Sequence, residues 1–409
     1  MKKSRIIATI AASFFIGSTL HAQTWKAKAI SDMKKGDFAK VEQTISKLSQ
    51  EEQNKHAWLI DSLQAMMSRI RDDFRLSREE GKKLLLEKVP GTTDKQIEAW
   101  KQKKYLETRM IDGEERWFRK TISNFALLNK DVYPAEIVQG KKKEYAKVHP
   151  MCEHILTQKL EENNTCDWKK VNATFYIEVP ADAVPAGETI KAWLPYPFDN
   201  GRQRNFQLLS SSSQATHSSG SLHHTVYMEQ KAVKGQPTRF EMKFSYEVGA
   251  QIFHQADILN NLKPYDKQSD MYKKFTAQEL PHMLVNKQMK TLAQKIIGAE
   301  TNPVLQASLI YDWISANYPW AGAIDYSTIP CIPQYVLDIN HGDCGQVTLL
   351  YISMLRSLGI PARWESGWVF DESGWTGYHD WGEIYFEGTG WVPTDVSAGR
   401  DTYQEPFQD

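Results

Sequence analysis

Cys344, His379 and Asp395 are the side chains in this 409-residue chain whose types and order most clearly allow covalent chemistry. Cys344 lies in the run His341-Gly342-Asp343-Cys344-Gly345-Gln346, directly ahead of Val347, Leu350, Met354, Leu355 and Leu358 at helical spacing. Gly342 and Asp343 supply backbone room and a capping oxygen; Gly359 and Pro361 end the helix. The thiol therefore falls in the first turn, where unpaired N–H groups and the helix dipole favour a thiolate. A following imidazole and carboxylate are the other two parts of a nucleophilic triad.

Three strands must position those partners. Residues 363–370, 379–386 and 391–395 read as strands, separated by turns at 371–374 and 387–390. Register decides whether the triad can form. A two-residue turn at Gly388-Thr389 would set Asp395 against Gly382, on the face opposite His379. A three-residue connection pairing Phe386 with Gly390 sets Asp395 opposite Trp381, within diagonal reach of His379. The triad thus requires an odd loop or a bulge. Singly, each member has an ordinary reading: an inert buried thiol, a satisfied polar ring, an edge charge. Their shared surroundings favour the triad.

Composition narrows the class. Fifty basic and fifty acidic side chains cancel, so no global field points to nucleic acid or anionic lipid. The first 22 residues read as an export signal, with Lys2, Lys3 and Arg5, an apolar stretch, and Leu20-His21-Ala22 before Gln23. A periplasmic or secreted protein is expected, and no later stretch is apolar enough for a membrane span. Among four cysteines, Cys152 and Cys166 either pair or stay free; a Cys331–Cys344 bond would silence the nucleophile. The paired His223 and His224 lack a convergent third ligand, and no calcium-loop spacing appears. No metal and no cofactor are expected.

The length implies several domains. Residues 23–165 read as a helical region with a small hairpin turned at Asp112-Gly113. Phe38, Val41, Ile45 and Leu48, then Leu59, Leu63, Met66 and Ile70, mark two amphipathic helices. Ser77 with Glu80, and Thr93 with Gln96, have capping-box spacing. The region faintly resembles a winged helix; a small packing module is the preferred reading, since neutral charge and export argue against DNA. Residues 168–275 form a β-rich, sandwich-like segment, with 208–224 as a loop or exposed hairpin. Residues 280–409 return to helix before the triad strands.

Four motifs, in this order, closely resemble the transglutaminase-like core. They are Gly342-Asp343-Cys344-Gly345, the run Leu355-Arg356-Ser357-Leu358-Gly359-Ile360-Pro361-Ala362-Arg363, His379-Asp380-Trp381-Gly382-Glu383, and Gly390-Trp391-Val392-Pro393-Thr394-Asp395. The resemblance covers roughly 280–400. It implies a papain-like α+β core with Cys344 as nucleophile, His379 as base and acid, and Asp395 as orienter of His379. The whole is then an α+β multidomain protein, with accessory regions like those of exported bacterial members. Two departures stand out. Asp380 replaces the family's usual small residue, and strand alternation is expected to turn it away from the triad. Fourteen residues follow Asp395, where the family commonly carries further strands, so the sheet is expected to be short or completed by the β-rich segment.

The expected chemistry is thiolate attack on a peptide or related amide, a thioester, and hydrolysis, as in a thiol protease. Acyl transfer to an amine, and a non-catalytic module that binds peptide or a cell-envelope polymer, are the alternatives. Tyr318 and Trp320 are candidate oxyanion donors by position, with burial as core aromatics equally open. Trp364, Trp368, Trp375 and Trp381 are candidates to line a substrate groove; alternation sends about half of such a cluster into the core.

Overall fold

Helix α1 (Trp25–Lys35) opens the described part of the chain, followed by α2 (Phe38–Ser46), α3 (Gln50–Lys55) and α4 (Ala57–Asp73). The computed structural model describes residues 25–129, 131–132, 153–218, 223–370, 374 and 376–397. The expected export signal, Cys152 with its pairing to Cys166, and Trp375 lie outside the described residues. Phe38, Val41 and Ile45 bury one face of α2 as the spacing predicts. On α4 the buried stripe is Ile60, Leu63, Met67 and Ile70, one position round from Leu59 and Met66.

Strand β1 (Leu76–Ser77), α5 (Arg78–Lys88), α6 (Asp94–Gln102), β2 (Thr108–Ile111), β3 (Glu114–Trp117) and α7 (Thr121–Leu128) follow. Both capping boxes form, at Ser77/Glu80 and Thr93/Gln96. Asp112 and Gly113 both take positive φ, which suits the two-residue turn between β2 and β3. The sheet order is β1-β3-β2. Beneath it, Leu85, Ile97, Trp100, Leu106, Trp117 and Phe125 share a core.

The next segment is all β: β4 (Thr165–Val179), β5 (Thr189–Pro195), β6 (Gln203–Ser211), β7 (Ala215–Ser218), β8 (Thr225–Lys231) and β9 (Thr238–Gln251). Two three-stranded sheets, β4-β9-β6 and β5-β8-β7, send Leu194, Val226, Met228, Phe240, Met242 and Phe244 into one core. This is a small sandwich. The stretch 208–224, read from sequence as loop or hairpin, includes the end of β6 and all of β7; its serines hid the alternation.

The described residues divide into two compact units. One comprises those of the first 145 positions together with those from Gln255 onward; the other comprises those of 146–254. The larger unit continues with α8 (Gln255–Asn261), α9 (Asp270–Thr276), α10 (Lys287–Ile297), α11 (Pro303–Asn317), α12 (Ile332–Ile339) and α13 (Cys344–Ser357). It ends in β10 (Ala362–Phe370), β11 (Thr376–Phe386) and β12 (Gly390–Thr394), antiparallel in that order. The chain is thus an α+β multidomain protein.

α13 is the axle of this unit. Every residue from Gly345 to Ser357 is buried, because α10, α11 and α12 and the strands β10 and β11 enclose it. Truncating a fully covered Leu350 or Met354 there to Ala would cost about 2–5 kcal/mol. Arg356 is buried too. Its guanidinium donates to the carbonyls of Ala362 and Ala277 and to Glu279, fixing the passage from α13 into β10. No helix among the described residues is long and apolar enough to cross a membrane.

Candidate active site

Helix α13 begins at Cys344 because Asp343 caps it. Asp343 Oδ1 accepts the Gln346 N–H at 3.1 Å, and Gln346 Oε1 accepts the Asp343 N–H at 3.2 Å, a reciprocal capping box. The Tyr326 hydroxyl, from a short 3₁₀ turn at Tyr326–Thr328, also donates to Asp343 Oδ1. Burial raises the Asp343 pKa against the pull of those donors. Cys344 is therefore held, half-buried, at a helix end rich in unpaired N–H groups.

β11 and β12 pair with Phe386 opposite Gly390 and Gly382 opposite Thr394, which is the three-residue connection that register demands. Asp395 follows Thr394 directly, and its Oδ2 lies 2.6 Å from His379 Nε2. Asp395 is itself anchored. Its Oδ1 accepts the Ser397 N–H at 3.0 Å and the Ser397 hydroxyl at 2.6 Å, while Tyr311 on α11 donates to its carbonyl. Burial alone would raise the Asp395 pKa, but the hydrogen bonds from His379 and Ser397 outweigh it and the pKa is lowered.

His379 has its Nε2 committed to Asp395, which leaves Nδ1 for the Cys344 side chain that acts on the ring. Its pKa is pushed up to about 10, first by the Asp395 hydrogen bond and then by that with Cys344, against the effect of burial. The structure therefore brings Cys344, His379 and Asp395 together, the carboxylate hydrogen-bonded to the imidazole and the sulfur near enough to act on it. Cys331 and Cys344 are both free thiols.

Asp380 corrects the expectation that it turns away. Alternation does send it to the face opposite His379, but that face is the one covered by α13. Two positions along, Gly382 lies against Thr348 of the helix, and Asp380 lies against the first turn. The Cys344 thiol donates to Asp380 Oδ2 at 3.8 Å. Burial raises the Asp380 pKa to about 6, with the charge of Asp343 adding to it.

The aromatic candidates separate. Trp320 is half-exposed, and its backbone bridges to Gly342 in parallel register, so it lies beside the start of α13. Tyr318 caps the end of α11 and packs on Trp313, with ring centroids 5.4 Å apart. Trp381 shares the His379 face, its ring 6.2 Å away and tilted by 25°. Trp368 packs on Tyr378 of β11, and Trp364 lies opposite Gly382 at the partly exposed end of β10. Tyr326 and Asp380 are the site residues that sequence reasoning missed. Asp380 carried a signal, adjacency to His379; Tyr326 carried none.

Residues 290–396 match the profile of the transglutaminase-like superfamily. Among curated proteins, YebA of Bacillus subtilis is 27% identical over 139 residues, which is 30% of this chain and 19% of YebA. A Haemophilus influenzae protein is 28% identical over 144 residues, or 28% of this chain and 37% of that protein. The chain thus spans well under half the length of either relative. Among solved structures, a cysteine-protease candidate from Cytophaga hutchinsonii has a TM-score of 0.43 and 19% identity, covering 57% of this chain and 77% of the other. The periplasmic domain of TgpA from Pseudomonas aeruginosa has a TM-score of 0.28 and 13% identity, covering 62% and 90%. Over residues 290–396, then, the chain is similar to the transglutaminase-like superfamily.

Proposed function

We propose that this protein is an exported cysteine-nucleophile enzyme that cleaves peptide or related amide bonds through a thioester. The observation that carries the reading is the His379 ring, hydrogen-bonded to Asp395 at 2.6 Å and raised in pKa by Asp395 and by Cys344 at the start of α13. Asp395 keeps His379 aimed; the neutral ring takes the thiol proton through Nδ1, and Asp395 stabilises the imidazolium that results beside the thiolate. The Cys344 thiolate attacks the amide carbon, and the tetrahedral oxyanion is held by the first N–H groups of α13, with Trp320 beside them. Imidazolium then protonates the leaving amine, and a thioester remains. Water, deprotonated by His379, releases the acid.

Hydrolysis is preferred over transfer because the site is open. The side chains of His379 and Asp395 retain 29% and 30% of their exposure, so among the described residues water has a path to the thioester. The test is mass spectrometry of a peptide mixture incubated with the protein, with and without a primary amine. Cleaved acids that vanish in Cys344→Ala support hydrolysis. Amine adducts that replace them support acyl transfer, and unchanged peptides would leave the binding-module alternative.

A further inference from the structure

Tyr326 stands over the first turn of α13. Its hydroxyl donates to Asp343 Oδ1 and would collide with a Cβ on Gly345, so only glycine admits it there. Helix initiation does not need this bond. Asp343 and Gln346 already satisfy each other in the capping box, at 3.1 Å and 3.2 Å. The hydroxyl acts on a charge instead. Asp343 Oδ1 accepts from both Tyr326 and the Gln346 N–H, as suits a carboxylate, and this carboxylate directly precedes Cys344. Burial, followed by the charge of Asp343, raises the Tyr326 pKa far above its ordinary value, so the hydroxyl keeps its proton and donates.

The helical N-terminal region sets the turn that carries Tyr326. Asp73, at the end of α4, accepts the Asp325 N–H at 2.6 Å and is itself held by Arg119 at 3.0 Å. Arg69, one turn earlier on α4, donates to Ser327 Oγ at 2.8 Å. Asp325 Oδ1 closes the turn by accepting the Ser327 N–H at 2.9 Å. From just ahead of α7, Lys120 adds a positive field at Asp343. Tyr326 and Lys120 therefore offset the same charge, and the same region supplies or seats both.

We propose that Tyr326 is a positioning residue through which the helical N-terminal region blunts the Asp343 charge at the Cys344 thiolate. This role rests on the triad reading above. Carboxylates beside a sulfur anion oppose it. A hydroxyl donating to one of them draws its charge into a hydrogen bond and keeps that oxygen in the cap. Without the hydroxyl, the Asp343 field is less opposed, the thiolate is disfavoured, and attack slows.

The experiment is the rate of Cys344 alkylation by iodoacetamide at one pH near neutrality, followed by peptide mapping. Wild type, Tyr326→Phe, Asp343→Asn and the double variant form a cycle. Tyr326→Phe should alkylate about three- to tenfold more slowly than wild type. In the Asp343→Asn background the same change should cost less than about twofold, because asparagine keeps the cap without the charge. Equal slowing in both backgrounds is what a merely structural tyrosine would give, and it overturns the role. Folded Tyr326→Phe alkylating at the wild-type rate overturns it as well. His379→Ala alkylating as fast as wild type overturns the triad reading instead. If Tyr326→Phe does not fold, Asp343→Asn alone decides the matter through a charged reagent. The rate ratio of iodoacetate to iodoacetamide should rise at least about twofold when a carboxylate felt at the sulfur is removed, and an unchanged ratio rejects the proposal.

Discussion

Asn124 and Gly322 are joined by two buried hydrogen bonds across 198 residues of sequence. The Asn124 amide donates to the Gly322 carbonyl at 2.8 Å and accepts the Gly322 N–H at 2.9 Å. A side chain from α7 thus completes the backbone of the segment that carries Trp320 to Gly342. Asp73 does likewise, accepting the Asp325 N–H, and Tyr335 donates to Glu107. The helical N-terminal part is a brace for the loops in front of the nucleophile. Asn124→Ala strands two buried backbone groups and should cost about 1–3 kcal/mol in urea denaturation. Cys344 alkylation should slow in the same variant; unchanged stability would remove the brace.

Glu107 should make stability fall with rising pH. Burial raises its pKa from 4.5 to about 7 in the folded protein, against the Tyr335 hydrogen bond and with Asp73 adding to the rise. Between those values the folded state binds more protons than the unfolded one. Stability is therefore highest below about 4.5 as far as this group is concerned, falls through the window, and is flat above about 7. Glu107→Gln, which mimics the protonated acid, should stabilise by up to about 3 kcal/mol at pH ~8 and by little at pH ~4.5. An equal gain at both pH values would show that Glu107 does not titrate there.

His379 should remain an imidazolium well above neutrality. Its folded pKa of about 10 lies above the unfolded value of about 6.5, so its contribution to stability is complete below the lower value. That contribution is lost as pH rises through the upper one. Ring ¹⁵N shifts against pH measure this directly. Asp395→Asn removes the largest cause and should bring the titration down toward 6.5. A ring already neutral at pH ~8 in wild type would refute the ion pair.

Gly345→Ala sets two opposing effects against each other. Alanine within a helix is ordinarily favoured over glycine by about 0.5–1 kcal/mol. Here the added methyl meets Tyr326 and Asp380, and overpacking costs about 1–3 kcal/mol, so the clash wins. Adding Tyr326→Phe removes one colliding atom and should recover part of the loss in a double-mutant cycle. A stabilised Gly345→Ala variant would contradict the packing around the helix start.

The legible parts of the sequence are those where a local rule and the tertiary structure agree. The Asp343 cap and the Gly359 stop each follow from a few neighbouring residues and are present, while the Phe386–Gly390 register, required only by the triad and open from the turn residues alone, is the one found. Asp380 was misjudged because alternation tells only that it leaves the His379 face. Which element covers the other face is a long-range fact. Strand β7 left loop and hairpin both open for a different reason: a short edge strand with Thr and Ser has little apolar patterning. The merging of the N-terminal helices with the C-terminal core rests on single polar side chains such as Asn124, whose partners no spacing rule could name.

The connection at 387–389 carries a consequence for how such a chain can vary. Its length alone sets the parity of β12, so adding or removing one residue rotates every following side chain to the opposite face and carries Asp395 away from His379. Indels at that tip should abolish chemistry while leaving folding largely intact. Drift in chain length is free to accumulate in other exposed turns, but this one is a ruler.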